Sequence, residues 1–324
     1  MTENCGLSSK LLFTSDIHIE EEIERELVSQ KDSKYTSRIE FRLPVSKYPS
    51  KVSFDQDGDL ITERADKHYL LLIDHEIETQ LEKVGLQLWR SAFFLSDYLL
   101  NNLDIIKDQI VVELGSGLGI TSYIASFYAK MVFCTDLEFV VQEAEKNWLQ
   151  NQENLKDIID EKGSNILFKS LDWSQYENLF DKLTKTGTIY AFNEFDLDYL
   201  KKASVFLAAD VIYYQDITLN FFNIVYKLIT NGEKKEKICI IANEKRINFD
   251  AVSLSITDVA FDLFLKCMND LNEYEDEEKG YIFKTFQIPT INLNNYLNYK
   301  KSKYLEIWVI KAIVKKNFFV NKNK

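Results

Sequence analysis

Apolar positions between residues 85 and 310 follow two alternating rhythms. Short unbroken apolar runs read as buried strands, and stretches with apolar residues three and four apart read as amphipathic helices. Leu86, Trp89, Phe93, Leu95, Tyr98 and Leu99 keep helical spacing and lead into the run Ile110-Val111-Val112-Glu113-Leu114. Beyond it the pattern predicts helix 118–129, strand 131–136, helix 138–152 and strand 165–171. A helix near 174–184, an irregular stretch, strand 204–209, helix 216–230 and strand 238–243 follow. Helix 256–271 and strands 281–288 and 304–310 complete the series. Apolar strands alternating with helices require a mostly parallel sheet covered on both faces, an α/β fold. No helix separates the last two of the seven strands, so they are expected as an antiparallel pair at the sheet edge.

Residues 1–80 have a different texture. The charged stretch Glu20–Leu27 reads as a solvated helix or mobile tail. The alternating segment Ser37–Leu43 and the turn Asp55–Asp59 suit a few antiparallel strands. The expected organisation is a partly mobile N-terminal extension over 1–80, a main domain over 81–314 and a basic tail over 315–324.

The chemistry concentrates at one turn. Gly115, Gly117 and Gly119 occupy every second position after the first main-domain strand, and Asp136 ends the next strand seventeen residues later. Glycine admits positive φ and lets a ligand approach the main chain. A carboxylate after the second strand is placed to accept hydrogen bonds from both hydroxyls of a ribose. The spacing is G-x-G-x-G rather than the dinucleotide G-x-G-x-x-G, and Ile120 stands where that fingerprint wants a small residue. No Lys-Ser or Lys-Thr pair follows, which excludes a P-loop. Glu113 would repel a pyrophosphate and suits a zwitterionic ligand. A ribose with an amino-acid end and no phosphate describes S-adenosylmethionine (AdoMet). A glycine turn without a ligand is the plainer alternative; three alternating glycines followed by Asp136 weigh against it.

Bulk properties narrow the partners. With 39 basic and 51 acidic residues among 324, the formal charge is −12, which disfavours phosphate backbones and favours basic partners. Nucleic acid is therefore an unlikely direct substrate. No apolar run approaches the twenty residues a membrane span needs. Cys5, Cys134, Cys239 and Cys267 lack paired spacing, and His18, His68 and His75 lack metal-ligand spacing, so neither a disulfide framework nor a metal site is expected. An intracellular location fits this cysteine usage.

Several motifs then fall in a familiar order. Gly85-Leu86-Gln87-Leu88-Trp89-Arg90-Ser91-Ala92, the glycine turn, Leu171-Asp172-Trp173, Ala208-Ala209-Asp210-Val211-Ile212-Tyr213 and Glu244-Lys245-Arg246-Ile247-Asn248-Phe249 succeed one another. In this order the chain resembles the seven-β-strand protein lysine methyltransferases over roughly residues 80 to 312. The resemblance implies a Rossmann-like class I AdoMet-dependent methyltransferase sheet. It also implies methyl transfer from AdoMet to a lysine of a partner protein, and by analogy a nuclear location beside the cytoplasmic one. The residues by themselves leave open a non-protein acceptor (RNA or a small molecule) or cofactor binding without catalysis. An NAD-type oxidoreductase is disfavoured by the glycine spacing.

The resemblance also assigns roles. It gives Gly115, Ser116 and Gly117 close approach to AdoMet, Asp136 with Leu137 the ribose, Asp172 and Trp173 the adenine, and Ala209 a cofactor contact. Trp89 matches the family tryptophan beside the cofactor, with a core position as the alternative. Asp210 and Tyr213 match the D-x-x-Y signature beside the transferred methyl and are the expected catalytic pair. Asp210 as a cap of the next helix is the alternative, for which Asp216 is better placed. In such sheets ligands bind beyond the carboxyl ends of the strands. Glu113, Asp136, Asp172 and Asp210 should therefore converge on one edge. Acidic residues Glu273 to Glu278 should form a solvated loop at the opposite end. The 289–303 connection, Glu244 and Arg246 are expected to recognise substrate.

Overall fold

The computed structural model describes residues 34–44, 67–162, 165–182, 187–245, 259–290 and 292–315, with short segments at 12–14, 53–54, 57, 60–61, 249–250 and 255–256. The expected charged helix at 20–27, most of the 55–59 turn, Arg246 and the tail beyond Lys315 lie outside these residues.

An antiparallel pair, β1 (Lys34–Arg42) and β2 (His68–Glu76), precedes α1 (Arg90–Asn101). Strands and helices then alternate as β3 (Ile110–Leu114), α2 (Ile120–Ser126), β4 (Met131–Asp136), α3 (Glu138–Asn151) and β5 (Ile166–Ser170). They continue through α4 (Glu194–Lys201), β6 (Val205–Ala209), α5 (Gln215–Thr230), β7 (Lys237–Glu244) and α6 (Val259–Leu271) to β8 (Tyr281–Ile288) and β9 (Leu305–Val314). The main sheet has the order β8-β9-β7-β6-β3-β4-β5. Strands β3 to β7 are parallel, and β9 runs antiparallel between β7 and β8. The expected antiparallel pair is thus present at the sheet edge. Order reverses between β3 and β6, the place where a doubly wound sheet opens a crevice.

Helices α1, α2 and α3 cover one face and α4, α5 and α6 the other, each face carrying its own apolar clusters. Alternation along β3 explains the split: Val112 and Leu114 join one cluster and Val111 another.

The acidic run departs from expectation. Glu275–Asp276 adds an eighth, two-residue strand outside β8. Asp276 is buried and accepts hydrogen bonds from the Tyr226 hydroxyl at 2.5 Å and the Lys279 backbone N–H at 2.7 Å. Lys315 binds both Glu275 and Glu277. A charge run reads as solvated because its long-range partners are invisible in sequence.

Strand β2 docks on α3 through two asparagines one helical turn apart. Asn151 accepts from the Leu72 N–H and donates to the Leu72 C=O, both at 2.7 Å. Asn147 does the same to Asp74 at 2.8 and 3.0 Å. The amides stand in for a neighbouring strand and satisfy the β2 edge. Leu71 and Ile73 of β2 share an apolar cluster with Trp148 and Phe168.

Candidate active site

The site grows from the end of β3. Gly115, Gly117 and Gly119 have φ of 68°, 52° and 86°, a conformation side chains other than glycine rarely adopt. At Gly115 an added Cβ would stand 2.9 Å from Val211 Cγ1 and 3.1 Å from the Trp173 ring. The turn is therefore pressed against the segments that follow β6 and β5. At Gly119, the cap of α2, an added Cβ would stand 2.7 Å from the Tyr123 ring.

Asp136 fixes the turn from the neighbouring strand. Its Oδ2 accepts the Gly117 N–H at 2.9 Å, and its Oδ1 the Leu137 N–H at 2.7 Å. Burial pushes this carboxyl up to about 6, against the two hydrogen bonds that lower it. Asp172 begins a 3₁₀ segment, Trp173–Asn178, and accepts from the Ser174 N–H at 2.9 Å and hydroxyl at 2.7 Å. Gln175 Nε2 donates to its second oxygen at 3.0 Å. The Trp173 ring abuts Phe221 of α5, with centroids 5.6 Å apart, while its buried Nε1–H has no hydrogen-bond partner.

Asp210 follows β6 with φ of 57°, an unusual value for a residue with a side chain, and its N–H donates to the Ala242 C=O at 2.9 Å. It does not cap α5. That helix starts at Gln215 behind Tyr214, with no side-chain cap, and Asp216 lies in its first turn. The capping alternative therefore fails for both acids.

These residues line a cleft of about 1050 Å³, open mouth included, at the carboxyl ends of the strands. Trp89, Gly115, Gly117, Asp136, Leu137, Asp172, Trp173, Ala209, Asp210 and Tyr213 all face it. Trp89 is half-buried and donates from Nε1 to the Val84 C=O at 2.9 Å, so it serves the local packing and the cleft wall together. Two expected members stand outside the lining. Glu113 precedes the last residue of β3; it is 1% exposed, and its carboxyl is bound by the Ser122 hydroxyl of α2. Burial pushes it up to about 7, with Ser122 and Thr121 opposing. Ser116 is buried behind the turn, its N–H donating to the Thr135 C=O at 3.0 Å. Both support the turn rather than face the cleft.

Sequence reasoning missed Glu82, Val84, Gly85, Val140, Leu171, Ser174, Val211, Ile217 and Asn220, which complete the wall. Gly85, Leu171 and Val211 stand inside the quoted motifs and Ser174 directly follows one, so motif membership and adjacency are the available signal. Glu244, expected at the substrate, is instead buried against Arg90 at 2.6 Å. The described residues of the 289–303 connection contribute nothing to the lining. Tyr296 and Leu297 donate their N–H groups to Asp97 of α1 at 2.8 and 3.0 Å, and Asn298 pairs with β1.

A glycine-turn cleft at the switch point of a doubly wound sheet, closed by an antiparallel last strand, defines a Rossmann-like methyltransferase fold. The sequence profile described as lysine methyltransferase matches residues 69–258, and the chain belongs to that family. It is 28% identical to methyltransferase-like protein 22 of Homo sapiens, over 79% of this chain and 62% of that protein. It is 30% identical to methyltransferase-like protein 22 of Mus musculus, over 75% of this chain and 59% of that protein. The mouse protein-lysine N-methyltransferase EEF2KMT is 27% identical over 47% of this chain and 41% of its own length. The chain thus spans about three fifths of the methyltransferase-like proteins it matches.

Proposed function

We propose that the chain is an AdoMet-dependent protein-lysine N-methyltransferase acting on a partner protein. The observation that carries this reading is the meeting of the glycine turn, Asp136, Asp172-Trp173 and Asp210-x-x-Tyr213 in one cleft, in a chain of the lysine methyltransferase family.

The residues fit the cofactor. Gly115 and Gly117 leave the backbone bare where a Cβ would crowd the cleft floor. Each Asp136 oxygen takes one backbone N–H and keeps further acceptor capacity for ribose hydroxyls. The unpartnered Trp173 Nε1–H offers a donor in the same wall. Bound there, AdoMet supplies a methyl group already activated on a sulfonium. Asp210 and Tyr213 act on the acceptor. A lysine ammonium has a reference pKa of ~10.4, so the site must attract a cation and orient its nitrogen. The Asp210 carboxylate does both. The Tyr213 ring narrows the entrance, excludes water and offers its π face to the cation. Alignment rather than strong base catalysis supplies most of the acceleration.

The acceptor lysine sits in a basic neighbourhood of its protein, in keeping with the −12 charge and with Glu82 and Asp172 at the cleft. The enzyme works in the nucleus, the cytoplasm or both. Incubating it with methyl-labelled AdoMet and cell extract, then identifying the modified residue by mass spectrometry, tests the reading. Methyl-lysine in protein is the expected product; label confined to RNA or small molecules would refute it.

A further inference from the structure

Asn243, the last residue but one of β7, is 1% exposed, and neither its Oδ1 nor its Nδ2 has a hydrogen-bond partner. Buried amides are nearly always satisfied, and an unmet one lowers stability. Because both ends are unmet, exchanging the amide's oxygen and nitrogen leaves the deficit in place.

Its position shows what it serves. Ala209 of β6 pairs with Ala242 of β7, and the Asp210 N–H donates to the Ala242 C=O at 2.9 Å. Asp210, the first residue past β6, and Asn243, still within β7, therefore come side by side on adjacent parallel strands. Cys239 and Ile241 share an apolar cluster with Val211 and Ile212, and Asn243 continues the Cys239–Ile241 face. Two neighbouring acids are bound to other groups. Glu306, opposite Asn243 on β9, accepts from Trp308 Nε1 at 2.9 Å. Glu244 is bound to Arg90. At the acceptor end of the cleft, an acid with left-handed backbone thus stands beside a buried, unsatisfied amide. Unfavourable local states gathered at one site are the mark of a functional constraint.

We propose that Asn243 is a positioning residue for Asp210. When an ammonium enters the cleft, one Asp210 oxygen turns to it and Asn243 Nδ2 donates to the other, fixing the direction of the carboxylate. This deepens the methyltransferase reading and rests on it.

Sinefungin carries an amine where AdoMet carries its sulfonium methyl, so its affinity relative to S-adenosylhomocysteine reads the grip of Asp210 on a cation without any methyl acceptor. Calorimetry on the full chain should show the unaltered protein preferring sinefungin. Asn243→Leu should leave S-adenosylhomocysteine affinity unchanged, cut the preference about tenfold, and hold or raise Tm. Asn243→Ala makes the same comparison if the leucine variant does not fold. An undiminished preference in a folded variant, no preference in the unaltered protein, or an equal loss of both affinities with a lower Tm overturns the positioning role. Failure of both ligands to bind the unaltered protein overturns the cofactor reading, and this inference falls with it.

Discussion

The backbone N–H of Gly117 donates to Asp136 Oδ2 at 2.9 Å, tying the glycine turn after β3 to the end of β4. The acid assigned to the ribose therefore also holds the turn in shape. Asp136→Ala should weaken AdoMet binding by about 1–3 kcal/mol, the cost of a lost hydrogen-bond partner at a charged group. Titration calorimetry measures this directly, and unchanged affinity would remove Asp136 from the site.

Two carboxyls, Glu113 in the core and Asp136 half-buried at the cleft, set a pH dependence. Burial raises Asp136 from 3.8 to about 6 and Glu113 from 4.5 to about 7. Between the ordinary and raised values the folded chain holds protons that the unfolded chain has released. Their stabilising contribution is complete below pH 3.8 and is lost as pH rises through about 6 and 7. Each group contributes on the order of 1–3 kcal/mol. Urea midpoints of the ligand-free protein should fall across this window, with a shallower slope in Glu113→Gln. AdoMet affinity should run the other way, rising as Asp136 ionises. A Glu113→Gln variant with the parent's slope would contradict the assignment.

Gly115→Ala should abolish measurable AdoMet binding and destabilise the fold by about 1–3 kcal/mol. Its φ of 68° disfavours any side chain, and the new Cβ would press on Val211 and Trp173. Thermal unfolding and calorimetry report the two effects separately. A variant with parental Tm and affinity would mean the turn is not pressed as described.

Arg90 and Glu244 form a buried ion pair, each side chain 8% exposed. Removing one partner strands a buried charge, so Arg90→Met should cost about 3–5 kcal/mol. The double variant Arg90→Met/Glu244→Leu should recover most of that loss. Chemical denaturation decides; additive losses in the double variant would show that the charges are not coupled.

Periodicity and turn chemistry made most of the sheet legible, because buried strands and a glycine turn are encoded locally. Boundaries moved where tertiary contacts rule. The helix predicted over 118–129 is Ile120–Ser126, since left-handed Gly119 sets its start. The strand predicted over 304–310 extends through Val314, since β7 and β8 pair it along its length. The stretch read as irregular holds α4, whose Asn193–Asp196 capping box was a readable local signal. The cleft was legible wherever a residue ended a strand or belonged to a motif. Glu113 was misplaced because, one residue before the end of its strand, it turns beneath the turn instead of into the cleft. Glu244 was misplaced because its partner Arg90 lies 154 residues away. Asn243 carried no signal, since an unsatisfied amide exists only once the chain has folded around it.

In the proposed mechanism Asp210 acts on the methyl acceptor while other residues hold the cofactor. Asp210→Ala, assayed for both turnover and AdoMet affinity, tests it most directly. Turnover should fall by at least about 10²-fold with AdoMet binding still measurable. Turnover equal to the parent's would contradict it.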